Sequence, residues 1–225
     1  MSVTFDLNGA RLHAEPDGSL WWPAERTLVV ADLHLEKGSS FARRGRPLPP
    51  YDTRATLERL RLAIERHRPA RVISLGDAFH DKQAAQRMPG DDRALLLQLA
   101  KDRDWIWIAG NHEAGAVPFG SSIAQWRCGP LVFRHEPQPD FISGEVAGHW
   151  HPKATVRMHG RKVSRPCFAT DGRRLILPAF GVYTGGFDLL TPVLRQMFGE
   201  GLLALMLARD VVHAVPAAQL APAVP

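Results

Sequence analysis

The chain has 225 residues, of which 45% are hydrophobic, and this predicts one globular domain with a sizeable core. Its formal charge of +5 suits a substrate that carries phosphate, such as nucleic acid, although many basic proteins bind none. Cys128 and Cys167 form no CxxC pair, which argues against a disulfide framework or a thiolate zinc site. The first residues lack the pattern of a signal peptide and no apolar run could span a bilayer, so we expect a cytoplasmic protein without membrane insertion.

The chain is predicted to open with short strands at the edge of a sheet. They are separated by Asn-Gly and Asp-Gly dipeptides, which readily adopt the positive φ of hairpin turns. The expected strands cover residues 3–7, 11–15 and 19–22.

From residue 27, predicted strands alternate with predicted helices, which indicates crossover connections and a parallel sheet. The strands are apolar runs, and the helices show leucines at helical spacing. The expected strands are 27–31, 71–75 and 105–109, and the expected helices are 52–66 and 92–101. Asp52 is predicted to be the N-cap of its helix, and residues 36–50, rich in Gly, Pro and Arg, are predicted to be a loop.

The second half of the chain is predicted to be mostly β-structure. The expected strands are 123–127, 131–134, 145–147, 155–159, 162–164, 167–170, 173–177, 188–190, 202–207 and 211–214. Residues 215–225 are rich in Ala and Pro, and we expect them to be a flexible tail after a single domain of residues 1–214.

Side chains suited to metal binding follow directly after several of the predicted strands. They are Asp32, His34, Asp77, Asn111, His112, His135, His149 and His151. Eight such groups are too many for one ion and suit two, which a carboxylate can bridge at about 3.5–4 Å. Asp77 is the best candidate for this bridge. Oxygen and nitrogen donors without sulfur favour Mn, Fe, Co, Zn or Ni over calcium, and imidazoles argue against magnesium.

These residues form an ordered signature that resembles that of the calcineurin-like metallophosphoesterases. The family pattern is DxH, GD, GNH with an acidic residue often next, a lone His, and GHxH. The chain carries Asp32-Leu33-His34, Gly76-Asp77, Gly110-Asn111-His112-Glu113, His135 and Gly148-His149-Trp150-His151. The resemblance implies an α/β fold, in part α+β, namely a four-layer αββα sandwich with mixed sheets. It also implies a dinuclear metal centre at the carboxyl ends of the strands.

The resemblance further implies a role for each signature residue. The first metal ion would be held by Asp32, His34, Asp77 and His151, and the second by Asp77, Asn111, His135 and His149. A metal-bound hydroxide would attack phosphorus, and His112 would lie near the leaving group as a phosphate contact or a proton donor. Glu113 would act behind these residues as a hydrogen-bond acceptor.

Three longer runs look like one narrower group within this family. Residues 31–53, 76–81 and 177–186 are similar to bacterial metallophosphoesterases associated with a DNA ligase and a helicase in the DNA-damage response. That similarity implies manganese-dependent cleavage of phosphodiester bonds, including those of single-stranded DNA. It also implies a functional link to a ligase and a helicase.

Further residues beside the signature are candidates for substrate binding. Arg43 and Arg44 are expected to hold flanking phosphates, while His80 either contacts the substrate or orients Asp77, and both alternatives stay open. Trp150 is the tryptophan best placed to stack on a base. A phosphatase needs similar phosphate clamps, so a phosphomonoesterase or a small-molecule phosphodiesterase with the same centre is the alternative. A non-catalytic scaffold is disfavoured, because it has no need to hold all the ligands together with a catalytic histidine.

Overall fold

Two mixed β-sheets form the centre of the computed structural model, which describes residues 1–112, 117–139 and 143–223. Within these residues one sheet has seven strands and the other eight. Their facing sides share one apolar cluster, which includes Val29 and Ile73 of the first sheet and Phe133 and Phe168 of the second. This cluster is the core between the sheets.

The first sheet combines an antiparallel edge with a parallel centre. Its strands lie in the order β1 (Val3–Leu7), β2 (Ala10–Ala14), β3 (Leu20–Trp22), β4 (Thr27–Val30), β5 (Arg71–Leu75), β6 (Asp104–Ile108) and β7 (Ser122–Ile123). Strands β1 to β4 are antiparallel, and β4 to β7 are parallel. The predicted strands at a sheet edge and the predicted parallel arrangement are therefore both confirmed.

The second sheet is antiparallel except at its centre. Its strands are β15 (Val212–Pro216), β14 (Leu203–Leu207), β12 (Arg161–Thr170), β13 (Arg174–Ile176), β10 (Glu145–Ala147), β9 (Leu131–Arg134) and β8 (Gln125–Cys128), with β11 (Lys153–Met158) paired to β12. β10 runs parallel to both β9 and β13. The carboxyl ends of β9, β10 and β13 therefore share one edge of this sheet.

Helices cover the outer faces of both sheets. They are α1 (Lys37–Arg43), α2 (Asp52–His67), α3 (Ala84–Arg87), α4 (Gly90–Ala100) and α5 (Pro192–Arg195), with 3-10 turns at Pro23–Glu25 and Ala217–Gln219. Leu57 and Leu60 of α2 and Leu96 of α4 pack on the first sheet. Leu194 of α5, together with Phe198, packs on the second. The four-layer αββα sandwich is confirmed, and its fourth layer is thin.

The predicted loop over residues 36–50 is wrong in part, because α1 lies within it. Asp52 is the first residue of α2 and does not cap it; Tyr51 occupies the N-cap position. The buried Asp52 carboxylate instead accepts a hydrogen bond of 2.9 Å from the backbone nitrogen of Gly38, in the first turn of α1. Asp52 therefore stabilises the neighbouring helix.

Four further predictions differ from the structure. The strand predicted at 123–127 is divided at Ala124 between β7 of the first sheet and β8 of the second. The strands predicted at 162–164 and 167–170 form one strand, β12. Its pairing with β11 extends through Pro166, and its pairing with β14 begins at the next residue, Cys167. The strand predicted at 188–190 is a turn with one isolated bridge, because the Asp188 carboxylate accepts a hydrogen bond from the backbone of Leu190. Residues 215–216 belong to β15, and residues 217–219 form a 3-10 turn. The predicted flexibility of the tail stays a prediction.

No helix among the described residues is both long enough and apolar enough to cross a membrane.

Candidate metal centre

The signature side chains converge between the two sheets, at the carboxyl ends of β4, β5, β6, β9 and β10. Donor atoms of Asp32, His34 and His151 all lie within 4.8 Å of one another, as do those of Asp32, Asp77 and His135. His135 Nε2 lies 3.5 Å from Asp77 Oδ2 and 3.1 Å from His149 Nδ1. The structure therefore brings distant parts of the signature into one cluster.

Asn111 completes the side of the cluster formed by β6 and β10. Its Nδ2 lies 3.3 Å from His149 Nδ1, and its backbone nitrogen donates a hydrogen bond of 2.8 Å to Asp77 Oδ1. The backbone nitrogen of His112 donates to the same oxygen at 3.0 Å. One oxygen of Asp77 is thus held by two backbone N–H groups, while Oδ2 faces the histidines.

Left-handed backbone conformations turn the chain sharply at several of these strand ends. The φ angles are +53° at Asp32, +44° at His34, +44° at Asp77, +69° at His149 and +45° at His151. Asp and His adopt this conformation more often than most residues, but it still costs about 1–3 kcal/mol per residue. Such conformations cluster at functional sites, where the surrounding structure maintains them.

Two glycines of the signature allow the strand ends to approach closely. A Cβ atom at Gly110 would overlap the backbone nitrogen and the carboxylate of Asp77. A Cβ atom at Gly148 would lie 2.6 Å from Asp32 Oδ2. Both positions require glycine because a carboxylate of the cluster occupies the space of a side chain.

The ionisation of the cluster suits the binding of divalent cations. Burial lowers the pKa of His34 to about 3, despite the nearby charges of Asp32 and Asp77. Burial also lowers the pKa of His149, and the neighbouring His135 lowers it further. Burial alone would raise the pKa of Asp32, but the adjacent His151 ring and other nearby histidines bring it below its usual range. Neutral imidazoles beside ionised carboxylates are the forms that bind metal ions.

Comparison with known proteins identifies the family. Residues 25–179 match the model of the calcineurin-like phosphoesterases. The chain belongs to the calcineurin-like phosphoesterase family. The resemblance found in the sequence is therefore confirmed, and the protein is a metal-dependent phosphoester hydrolase.

A solved structure, nuclease MPE of Pseudomonas putida, is similar to this phosphoesterase over nearly its full length. The TM-score is 0.73 and the sequence identity is 26%, and the match covers 96% of this chain and 100% of that one. Comparison with curated proteins gave no match.

The residues of this phosphoesterase fit the divalent metal ions that its family uses. All the donors are carboxylate oxygens, an amide and imidazoles, which suit first-row divalent ions. His151 Nε2 is buried and has no hydrogen-bond partner among the described residues, and it lies 3.3 Å from Asp32 Oδ1. Burying a polar atom without a partner is costly. A ring nitrogen in this position is a suitable ligand for an ion.

His112 lies at the open side of the cluster. Its Nδ1 donates a hydrogen bond of 3.1 Å to the backbone oxygen of His80, so Nε2 is the atom directed towards the cluster, 3.7 Å from Asp77 Oδ2. The His112 side chain is 46% exposed, which leaves it accessible to a ligand from solvent.

His80 lies beside His112, and donor atoms of His34, His80 and His112 all lie within 4.8 Å of one another. Its ring centre is 5.5 Å from those of His34 and His112, and 5.7 Å from that of Phe41. Burial lowers the pKa of His80 to about 4, and the charges of Lys37 and His112 add to the effect. A neutral His80 therefore packs among aromatic rings, and both of its predicted roles remain predictions.

A cleft of about 660 Å³ opens beside His112, and its lining is rich in basic residues. Arg43 and Arg44, at the end of α1, line it together with His80, Asn111 and Lys82. Arg43 also donates a hydrogen bond to the side chain of Gln83. Both predicted arginines therefore lie next to the cluster.

Sequence reasoning missed two residues that shape this cleft. Lys82 lines the cleft, and its position directly after the GDAFHD run could have indicated this. Asp81 holds the same loop through a paired contact with Arg87, with Oδ1 at 3.0 Å and Oδ2 at 2.7 Å. The hydrogen bonds from Arg87 lower the pKa of Asp81, which keeps this contact ionic.

Trp150 and Glu113 are the remaining predicted positions. Trp150 is half-buried, and its ring centre lies 5.3 Å from that of His149 and 5.5 Å from that of Phe187. It also packs against the outer apolar cluster of the second sheet, so base stacking by Trp150 stays a prediction. Glu113 lies outside the described residues.

Proposed function

We propose that this phosphoesterase is a manganese-dependent phosphodiesterase and endonuclease that cleaves DNA, in particular single-stranded DNA. The observation that carries the proposal is the cationic cleft that opens directly onto the donor cluster beside His112. The similarity to a nuclease of known structure supports it.

The proposal assigns two divalent ions to the donor cluster. Asp32, His34, Asp77 and His151 would hold one ion, and Asp77, Asn111, His135 and His149 would hold the other. When bound, such ions supply the positive charge and the Lewis acidity that phosphoryl transfer requires. The two backbone N–H groups on Asp77 Oδ1 fix this carboxylate between the two donor groups.

His112 acts on the leaving group in this proposal. Because its Nδ1–H is committed to the His80 carbonyl, a proton delivered to the substrate comes from Nε2. A protonated Nε2 contacts a phosphate oxygen or protonates the departing alkoxide of the DNA strand. General acid catalysis of this kind contributes about 10²–10⁴-fold.

The arginines of the cleft bind phosphates next to the scissile bond. Arg43 and Arg44 are exposed at the end of α1, and guanidinium groups bind phosphate oxygens in paired hydrogen bonds. The cleft is open to solvent, so a polymer can enter and leave it, whereas sites for small molecules usually enclose most of the ligand. This openness favours DNA over a small phosphomonoester.

A functional link to a DNA ligase and a helicase is also part of the proposal. It rests on the similarity of residues 31–53, 76–81 and 177–186 to the bacterial group described above.

The test compares substrates and metals in one protein preparation. The protein is stripped with a chelator, reloaded with Mn, Fe, Co, Ni or Zn, and assayed with p-nitrophenyl phosphate, bis-p-nitrophenyl phosphate and closed circular single-stranded DNA. We expect the manganese-loaded protein to cleave the diester and nick the circle. Hydrolysis of the monoester without nicking of the circle under any metal would refute the DNA proposal and support a phosphomonoesterase.

A further inference from the structure

The strand pair β11–β12 carries a group of cations without carboxylate partners. Residues 146–170 contain no Asp or Glu, and residues 153–166, here named the basic hairpin, contain two Lys and three Arg. None of these five side chains forms an ion pair with another described residue. By contrast, Arg54, Arg61 and Arg71 are each paired with a carboxylate.

The basic hairpin extends beyond the sheet edge that carries the metal centre. β12 is antiparallel to β13, and Ala169 pairs with Ile176, the last residue of β13. Residues of β12 before 167 therefore continue past the carboxyl end of β13, at the edge where β10 leads into the signature. At about 3.4 Å per residue, the six residues of β11 reach about 20 Å from the base of the hairpin.

The base of the hairpin adjoins the metal centre directly. Pro152 follows His151, and its backbone oxygen accepts a hydrogen bond of 3.0 Å from the nitrogen of Cys167. The cations of the hairpin therefore begin within two residues of a predicted ligand.

The strand register divides these cations between two faces of the hairpin. Residues opposite each other in an antiparallel pair share a face, and successive residues alternate. Arg157 is paired with Lys162, and Lys153 lies on the same face. Arg161 and Arg165 lie on the other face.

The face with Arg157 and Lys162 continues the inner side of the second sheet. Arg165 pairs with Ala154, which packs in the outer cluster together with Cys167 and Ala169. Phe168 follows Cys167 and therefore lies on the opposite face of β12, where it packs in the core between the sheets. We call the face with Lys153, Arg157 and Lys162 the inner face, since it lies on the side of the first sheet and the metal centre.

We propose that the inner face of the basic hairpin binds the sugar–phosphate backbone of a DNA strand next to the phosphate that is hydrolysed. This inference rests on the proposed cleavage of DNA. The metal centre would then adjoin two cationic surfaces, the cleft with Arg43 and Arg44 and the inner face of the hairpin.

The chemistry of the inner face suits a polyanion with regularly spaced charges. Arg157 is exposed, and Lys162 Nζ donates one hydrogen bond, to Pro222 O, which leaves two of its N–H groups for a phosphate. A cation that neutralises a phosphate of single-stranded DNA releases counterions. Each such contact adds about 0.7 to the steepness of the plot of log affinity against log salt concentration, here called the salt slope. Edge strands also carry Lys and Arg simply to prevent aggregation, a role that predicts no such salt dependence.

The experiment compares the two faces of the same hairpin. The test variant is Arg157→Gln/Lys162→Gln, and the matched control is Arg161→Gln/Arg165→Gln, which removes the same charge from the outer face. Binding of a fluorescent 20-nucleotide phosphorothioate strand, which resists cleavage, is measured by anisotropy with manganese-loaded protein between 50 and 200 mM salt. Turnover of bis-p-nitrophenyl phosphate in both variants reports correct folding.

We expect the salt slope of the inner-face variant to be shallower by about 1.4, because two cations are removed. The loss of affinity between 50 and 200 mM salt is then about sevenfold smaller in this variant than in the wild type. The outer-face control keeps the slope of the wild type, and both variants hydrolyse the small diester within about twofold of the wild type. An unchanged slope in the inner-face variant, or equal losses in both variants, overturns the inference while wild-type cleavage of DNA stands. A wild type that neither binds nor cleaves DNA overturns the proposed function and the inference together.

Discussion

Replacing Gly110 with alanine tests whether the close approach of two strand ends holds the metal centre together. Gly110 lies two residues after the end of β6, and Asp77 lies two residues after the end of β5. The added Cβ atom would lie 2.9 Å from Asp77 Cα and closer still to the Asp77 nitrogen and Oδ1. Non-bonded carbon atoms prefer separations of about 3.5–4.0 Å, so the two strand ends must separate by about 1 Å.

This separation acts on the bridge candidate itself. The backbone nitrogens of Asn111 and His112 donate to Asp77 Oδ1 at 2.8 and 3.0 Å, and a shift of about 1 Å breaks both hydrogen bonds. Displacement of about 1 Å in a catalytic constellation costs about 10²-fold in rate. We therefore expect Gly110→Ala to lose bound metal and about 10²-fold of its kcat/KM on bis-p-nitrophenyl phosphate.

The assay measures metal content by elemental analysis and kcat/KM on the same samples. Gly185→Ala is the matched control, because a Cβ at Gly185 would meet no atom within 4 Å. We expect this control to retain the metal content and activity of the wild type. A Gly110→Ala protein with two bound ions and full activity would refute the reasoning.

Three further predictions concern the leaving group, α1 and pH. His112→Ala should lose far more activity on DNA than on a nitrophenyl ester, because nitrophenolate leaves without a proton; equal losses in steady-state rates would contradict an acid role. Asp52→Ala should lower the free energy of unfolding in denaturant by about 1–3 kcal/mol, since the buried N–H of Gly38 loses its acceptor; an unchanged value would refute this. Burial, together with the charge of Arg66, lowers the pKa of His67 below 6.5 in the folded protein. The unfolded chain therefore takes up the proton first as the pH falls below 6.5, and the folded protein loses stability. The unfolding free energy should therefore fall less between pH 7 and pH 5 in His67→Phe than in the wild type, and equal falls would contradict the sign.

The sequence predicted most of the fold because its elements carry strong local patterns. Buried runs such as Arg71–Leu75 and the leucine stripe of α2 depend on residues close in the chain, and both are confirmed. The seven predicted ligands follow strand ends, and parallel strands bring such ends to one edge of a sheet. The structure accordingly brings five of them into two overlapping donor groups, and His149 and Asn111 adjoin these through His135.

The missed elements depend on contacts that are distant in the chain. α1 contains Gly38, Ser39 and Ser40, which are weak helix formers, and its first turn is held by Asp52, 14 residues away. No local periodicity could reveal that hydrogen bond. The turn at Asp188 is the opposite case, because a short-range hydrogen bond from its carboxylate overrode an apolar pattern typical of a strand.

The division of the basic hairpin into two charged faces could not be predicted from the sequence either. Residues 162–164 and 167–170 were predicted as separate strands, so the alternation could not be followed across Pro166. Once β12 is known to be continuous, the register assigns Arg157 and Lys162 to one side and Arg165 to the other. Long-range pairing, and not composition, therefore determines where this charge lies.

Anomalous diffraction from crystals of the manganese-loaded protein tests the central claim of a dinuclear centre most directly. We expect two manganese peaks about 3.5–4 Å apart, one on each side of the Asp77 carboxylate. Donor atoms of Asp32, His34 and His151 should surround one peak, and those of Asn111, His135 and His149 the other. A single peak, or two peaks that do not share Asp77, would contradict the account.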